Sequence, residues 1–228
     1  MFYNLDYQLF MLPALIIALI AQVNINAAFN RYSRVRSSRG LTGAEAARRI
    51  LDQNGLSNVR VEQVSGRLSD HYDPRTNVVR LSTSTYGDSS VAAIGVAAHE
   101  CGHAVQHATG YAPLAIRSAI IPITNIGSRL SIPLILIGYI LAFQSLVTLG
   151  IAAFSLLTLF QLVTLPVEFN ASSRAIATLD HMDILYGDEL DGAKKVLRAA
   201  ALTYVAALLQ SVTQLLYYIT RFGGRRRN

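Results

Sequence analysis

Charge is what this chain has least of. Lys, Arg, Asp and Glu make up 15% of its residues, against about 25% in a typical soluble domain. Hydrophobic residues make up 52% and mean hydropathy is +0.35, which argues against an ordinary soluble globule and for a membrane protein. The single cysteine, Cys101, excludes an intrachain disulfide framework. No internal repeat or low-complexity linker divides the 228 residues, a length suited to one modest domain. A net charge of +6 raises nucleic acid as a partner, but the basic residues do not cover a soluble face. Arg31, Arg34, Arg36, Arg39, Arg48 and Arg49 follow the first apolar segment, and Arg225, Arg226 and Arg227 end the chain. That arrangement fits orientation in a membrane and no nucleic-acid partner.

The uncharged stretches set the expected topology. Residues 7–30 carry no charge, and about 20 such residues in a helix cross a hydrocarbon core of ~30 Å. Asp6 precedes the run and arginines follow it, the reverse of a cleavable signal peptide. Residues 1–30 are therefore read as an uncleaved anchor with its N-terminus outside and the arginine-rich segment in the cytoplasm. Ser131 to Pro166 is uncharged over 36 residues, long enough for two short spans that turn near Gln144-Ser145 or Thr148-Leu149-Gly150. The apolar residues 118–130 let the first arm start earlier, so 118–166 is expected to be a hairpin whose flanks share one compartment. A last uncharged run, 199–220, either spans or lies against the other helices, giving three or four spans.

Two segments are left outside the bilayer, 31–117 and 167–198. Thr42-Gly43-Ala44-Glu45 is a capping box ahead of Ala46, Ala47, Ile50 and Leu51, with Gly55 as the stop. Asn58 to Val64 and Asn77 to Ser82 read as short strands, with a turn-rich Asp70-His71-Tyr72-Asp73-Pro74 between them. Asp88-Ser89-Ser90 caps a helix running through His99 and His103 and stopped by Gly110 and Pro113.

That helix carries His99-Glu100-Cys101-Gly102-His103. Residues four apart share a helix face, so both imidazoles can point at one ion. Glu100, beside the first histidine, is placed to accept a proton from the attacking water rather than to ligate. Zinc lowers the pKa of its water to about 7, which makes that transfer feasible at neutral pH. Two histidines in an ordinary helix are a common structural feature, but eight small or apolar residues, Val91 to Ala98, precede this pair. Ligands at the end of so apolar a helix are costly without a partner. Gly102 and Ala104 also keep the helix surface small beside the ligands. Cys101 points away from the pair and reads as a packing residue.

A catalytic zinc needs a third protein ligand. His107 lies ~12 Å along the helix from His99, too far for bonds of ~2 Å to one ion. The metzincin arrangement, with a third histidine six residues beyond the second, is also absent, because Gly110 turns the chain too late. Glu168, in Leu165-Pro166-Val167-Glu168-Phe169-Asn170-Ala171-Ser172, follows the hairpin on the same side as the histidines. It also has the plain reading of an acid favoured at the start of a new helix. As the third ligand it would complete a His, His, Glu set with one open position.

At this point the chain resembles the YugP-like neutral zinc metallopeptidases. The resemblance rests on His-Glu-Cys-Gly-His-Ala-Val-Gln-His, on Leu-Pro-Val-Glu-Phe-Asn-Ala-Ser, and on Asp-His-Tyr-Asp-Pro followed by Val-Arg-Leu-Ser. It covers most of the chain and implies a membrane gluzincin with one zinc ion, ligands His99, His103 and Glu168, and Glu100 as base. The Glu168 to Ala171 segment is also similar to the HtpX and CAAX-prenyl-protease group, which usually carries Asp directly after that alanine. This chain departs from them with Ser172.

The expected fold is mainly α, a multi-span integral membrane protein with a small α+β zincin-like protease subdomain. Its activity would be hydrolysis of peptides or membrane proteins at the cytoplasmic surface of a bacterial-type cell membrane, with a regulatory membrane partner left open. A catalytically silent membrane scaffold, with a structural metal or none, is the alternative. Candidates for substrate or transition-state contact are His107, Tyr111, Arg174, His181 and Val79, with Arg174 alternatively paired to a local carboxylate. Val78 to Leu81 is either an edge strand for an extended substrate or an ordinary strand of a small sheet.

Overall fold

The computed structural model describes residues 5–66 and 68–222, and the Arg225–Arg227 tail lies outside them. The fold is mainly α: α1 Leu5–Tyr32, α2 Gly43–Gln53, α3 Thr83–Tyr86, α4 Val91–Ala108, α5 Ala112–Ile140, α6 Gln144–His181 and α7 Gly187–Phe222. Three strands, β1 Arg60–Val64, β2 His71–Asp73 and β3 Val78–Ser82, form one small sheet. Among the described residues four helices, α1, α5, α6 and α7, are long and apolar enough to cross a membrane. The 199–220 run is thus the C-terminal part of a 36-residue helix that starts at Gly187.

The chain divides into two compact units. One comprises residues up to Ala21, Ala115–Leu165 and Thr203 onward. Many of its outward side chains are apolar: Ile132, Ile137, Ile140, Leu141, Leu149 and Leu216 are all exposed, as suits lipid-facing residues. α5 and α6 form the expected hairpin, with the turn at residues 141–143, just ahead of the first expected position. Ala142 takes a positive φ of 53° there. The two arms approach at glycines: a Cβ on Gly150 would stand 2.8 Å from the Ser131 carbonyl oxygen, and one on Gly138 2.7 Å from the Val147 nitrogen. Small residues permit this close approach where lipid supplies no hydrophobic drive between helices.

The other unit comprises Gln22–Leu114 and Pro166–Leu202, and it is built the opposite way. Its core is apolar, with Ile50, Leu51, Val79, Leu81, Val91, Ile94, Leu179, Leu185 and Val196 among the buried residues. The Thr42–Glu45 capping box forms as expected, and Gly55, at φ +72°, ends the turn after α2. Ser90 caps α4 through a hydrogen bond from the Ala93 N–H at 3.2 Å. Gly110, at φ +63°, closes α4: its N–H reaches the His107 carbonyl at 3.2 Å and that of Tyr111 the Gln106 carbonyl at 2.9 Å. This is a Schellman ending, which satisfies the last carbonyls of the helix. Cys101 is fully buried, with its thiol 3.6 Å from the Ala47 carbonyl oxygen.

Two expectations need correction. β3 is the central strand, parallel to β1 and antiparallel to β2. With its Val78–Arg80 backbone paired on both sides, Val78 to Leu81 is not an edge strand and cannot add a substrate strand. The His71–Asp73 part of the turn-rich segment is itself strand β2, the edge that faces away from β1. Glu168 does not open a helix either, because α6 runs unbroken from Gln144 through Pro166 to His181. Proline forfeits one helical hydrogen bond, yet Thr164, Val167, Glu168 and Ala171 on either side of it are buried, and that packing keeps the helix continuous.

Candidate metal centre

α4 and α6 touch backbone to backbone where the histidine segment lies. A Cβ on Gly102 would stand 2.6 Å from the Ala171 carbonyl oxygen, so only glycine lets the two helices approach this closely. The approach brings His99, His103 and Glu168 together, with one ligand atom of each within 4.8 Å of the others. His99 Nε2 lies 3.2 Å and His103 Nε2 3.7 Å from Glu168 Oε2. Ligands of a tetrahedral zinc at ~2.1 Å stand about 3.4 Å apart, so the three residues fit such an ion. The imidazole planes cross at 84°, with centroids 4.8 Å apart, so the rings do not stack, and each Nε2 faces the same Glu168 oxygen.

Burial divides the set. The Glu168 side chain keeps 3% of its surface, His99 14% and His103 12%, so the histidines form the open side and the carboxylate the floor. Glu100, on the same helix between the two histidines, is itself buried. Burial alone would push the His103 imidazolium down. The nearby carboxylates of Glu168, at 3.7 Å, and Glu100, together with the bond to Gln106, outweigh it, holding His103 above the ordinary histidine value.

The back of each ring is held by a side chain that sequence reasoning did not single out for the purpose. His103 Nδ1 is 3.0 Å from Gln106 Oε1 and His99 Nδ1 is 3.1 Å from Ser172 Oγ. Metal-binding histidines ordinarily have their other nitrogen tied down in this way. Ser172 thus makes, with a hydroxyl, the contact that a carboxylate at its position would make. The available signal was spacing: Gln106 is three residues after His103, and Ser172 four after Glu168, both same-face separations.

The remaining candidates spread out. His107 Nδ1 lies 2.9 Å from the Tyr72 hydroxyl, which donates to Asn77 Oδ1 at 2.8 Å. His107 therefore links α4 to β2. The Tyr111 hydroxyl donates to the Pro166 carbonyl at 3.4 Å. Arg174 pairs with no carboxylate through its Nε, which donates to Asn170 Oδ1 at 2.8 Å. His181 ends α6, 13 residues beyond Glu168 and so ~20 Å along the helix axis, outside the group of ligands. Val79 is fully buried in the central strand of the sheet.

Comparisons with known proteins give the family of the chain. The chain is 49% identical over 218 residues to the "Putative membrane protease YugP" of Bacillus subtilis (strain 168), covering 95% of this chain and 97% of that one. No solved structure matches. The family described as "Putative neutral zinc metallopeptidase" matches residues 7–223. A match running over nearly the whole sequence establishes that the chain belongs to this family.

Proposed function

We propose that this protein is a membrane-bound zinc endopeptidase in which His99, His103 and Glu168 hold one ion and Glu100 is the general base. The observation that carries the reading is the convergence of three ligand atoms from two helices, with a carboxylate on the residue next to the first histidine. The donor set, two imidazoles and one carboxylate, suits zinc and leaves a fourth position open. When bound, the ion would polarise the scissile carbonyl and acidify water.

Glu168, supplied by a helix that crosses the apolar part of the sequence, fixes the floor of the site, and the two histidines form its accessible side. Glu100 accepts a proton from the attacking water and passes it to the leaving amine nitrogen. An extended peptide would lie along β2, the edge strand whose Tyr72 hydroxyl meets His107 on α4. Substrates are peptides or membrane proteins whose cleavable segment emerges at the bilayer. The six arginines between residues 31 and 49, opposed there by Glu45 alone, favour a cytoplasmic site.

The test is metal content together with cleavage of a casein or peptide substrate by detergent-purified wild type and Glu100→Gln. Wild type should hold one zinc and cleave, while the variant holds zinc and does not. Equal cleavage by the two would sink the protease reading, and zinc-loaded protein with no cleavage in either would favour a silent scaffold.

A further inference from the structure

Behind His103 a line of hydrogen bonds leads from α4 to α6 and back to a charged group. Gln106, with no exposed surface, places Oε1 at 3.0 Å from His103 Nδ1. Its Nε2 donates to the Val167 carbonyl at 2.8 Å and to Asn170 Oδ1 at 3.0 Å. The same Asn170 oxygen accepts from Arg174 Nε at 2.8 Å.

Donor and acceptor roles along this line are forced from one end. A guanidinium has only donors, so the Asn170 atom facing Arg174 must be its oxygen. Gln106 meets that oxygen and a backbone carbonyl, two acceptors, so the amide atom between them must be its nitrogen. Its oxygen is then left for His103, and a carbonyl oxygen at Nδ1 requires a proton there. A neutral imidazole with its proton on Nδ1 has its lone pair on Nε2, the atom 3.7 Å from Glu168.

We infer that Arg174, acting through Asn170 and Gln106, fixes His103 in the tautomer whose bare Nε2 faces the metal position. Arg174, Asn170 and Gln106 are positioning residues, and the assignment rests on the zinc reading only for its consequence, not for the tautomer itself. An imidazole held in the other tautomer would turn an N–H toward the ion, so the line removes a rearrangement that binding would otherwise require.

Two readouts on the full-length protein in detergent test this. The first is the pattern of imidazole nitrogen signals in ¹⁵N-histidine-labelled, metal-free protein at mildly alkaline pH, with His103 assigned by loss of its signals in His103→Asn. The second is zinc affinity by competition with a chelator. Wild type should show His103 protonated on Nδ1. Gln106→Leu should show mixed tautomers and zinc bound about 10–100-fold more weakly, as for other loss of a partner behind a ligand. Arg174→Met should shift both in the same direction by less.

The pair Asn170→Asp and Asn170→Leu guards against misfolding. Aspartate keeps an acceptor for both neighbours and should behave as wild type, whereas leucine should resemble Gln106→Leu. If Asn170→Leu lowers the melting temperature while His103 stays protonated on Nδ1, the line is only packing and the inference is overturned. It is overturned equally if Gln106→Leu binds zinc within about threefold of wild type. A wild type that binds no zinc would overturn the metal reading instead, and the nitrogen signals would still decide the tautomer.

Discussion

The two units solve helix contact with the same residue for different ends. In the membrane-type unit, Gly138 and Gly150 let α5 and α6 close on each other, and the side chains around them are apolar. In the other unit, Gly102 lets α4 close on α6 at Ala171, and what the closure brings together is polar: His99, His103, Glu168, Gln106 and Asn170. Burial in the first unit serves packing. Burial in the second holds hydrogen-bonded and ionisable groups that would be costly there without partners. A tight glycine contact therefore shows where two helices must meet, and only the residues flanking it show why.

The sharpest way to break that contrast is to change the chemistry of the second unit without touching its packing. Glu100→Gln is nearly isosteric and should lower peptide cleavage by about 10²–10⁴-fold, the usual contribution of a general base, with zinc content and melting temperature unchanged. Stripping the metal with a chelator should abolish cleavage altogether and zinc should restore it. It should also lower the melting temperature, since a ligand present at 100 times its Kd stabilises the folded state by about 2.7 kcal/mol. Melting that ignores zinc would show that the three ligand residues do not hold it in the folded protein.

Next comes the glycine comparison itself. In Gly102→Ala the new methyl would meet the Ala171 backbone at 2.6 Å, and a backbone atom cannot swing aside. The helices must separate, and a displacement of ~1 Å between ligand sets commonly costs about 10²-fold in rate. Zinc affinity should fall with it. Gly150→Ala meets Ser131 and Ile135 backbone at 2.8 Å, and overpacking of this kind costs about 1–3 kcal/mol. It should lower the melting temperature while leaving zinc affinity and cleavage per folded molecule intact. Should Gly150→Ala weaken zinc as much as Gly102→Ala does, the division of labour between the units is wrong.

How far the sequence could be read follows the same division. Local signals were sound: the capping box at Thr42, the Ser90 cap, the Gly55 and Gly110 stops and the hairpin all appear where side-chain chemistry and periodicity put them. The pairing of Glu168 with His99 and His103 was also legible, because the ligand count for zinc demanded a third donor. Three features were not. Pro166 inside α6 depends on packing from both flanks, which no local rule reports. The central place of β3 depends on a three-residue strand, β2, too short to show alternation. Ser172, behind His99, lies 73 residues from it, and Gln106, three residues from His103, is itself held by the Val167 carbonyl 61 residues away. Such contacts are products of helix docking, and spacing only restricts who can take part.

The smallest effect tests the partly exposed polar chemistry of the second unit against its buried counterpart. Asp73, on β2, accepts hydrogen bonds from Arg80 at 2.9 Å, from the Thr76 hydroxyl at 2.7 Å and from the Arg75 N–H at 3.0 Å. Those contacts hold its carboxyl well below the usual carboxylate range. A pKa depressed by folding means that the stabilising contribution is complete above the unfolded value of about 3.9 and fades as acid carries the pH down toward the folded value. Asp73→Asn should therefore melt slightly below wild type, by an interval that stays constant from pH 7 to about 4 and narrows below it. The side chain is solvent-screened, so the interval should be small and shrink further in high salt. Salt should leave the Gly102→Ala defect unchanged, because that defect is steric. If the Asp73→Asn interval instead widened in acid, the carboxylate would not be the group its neighbours stabilise. β2 would then owe its place to its pairing with β3 and to the contact of Tyr72 with His107.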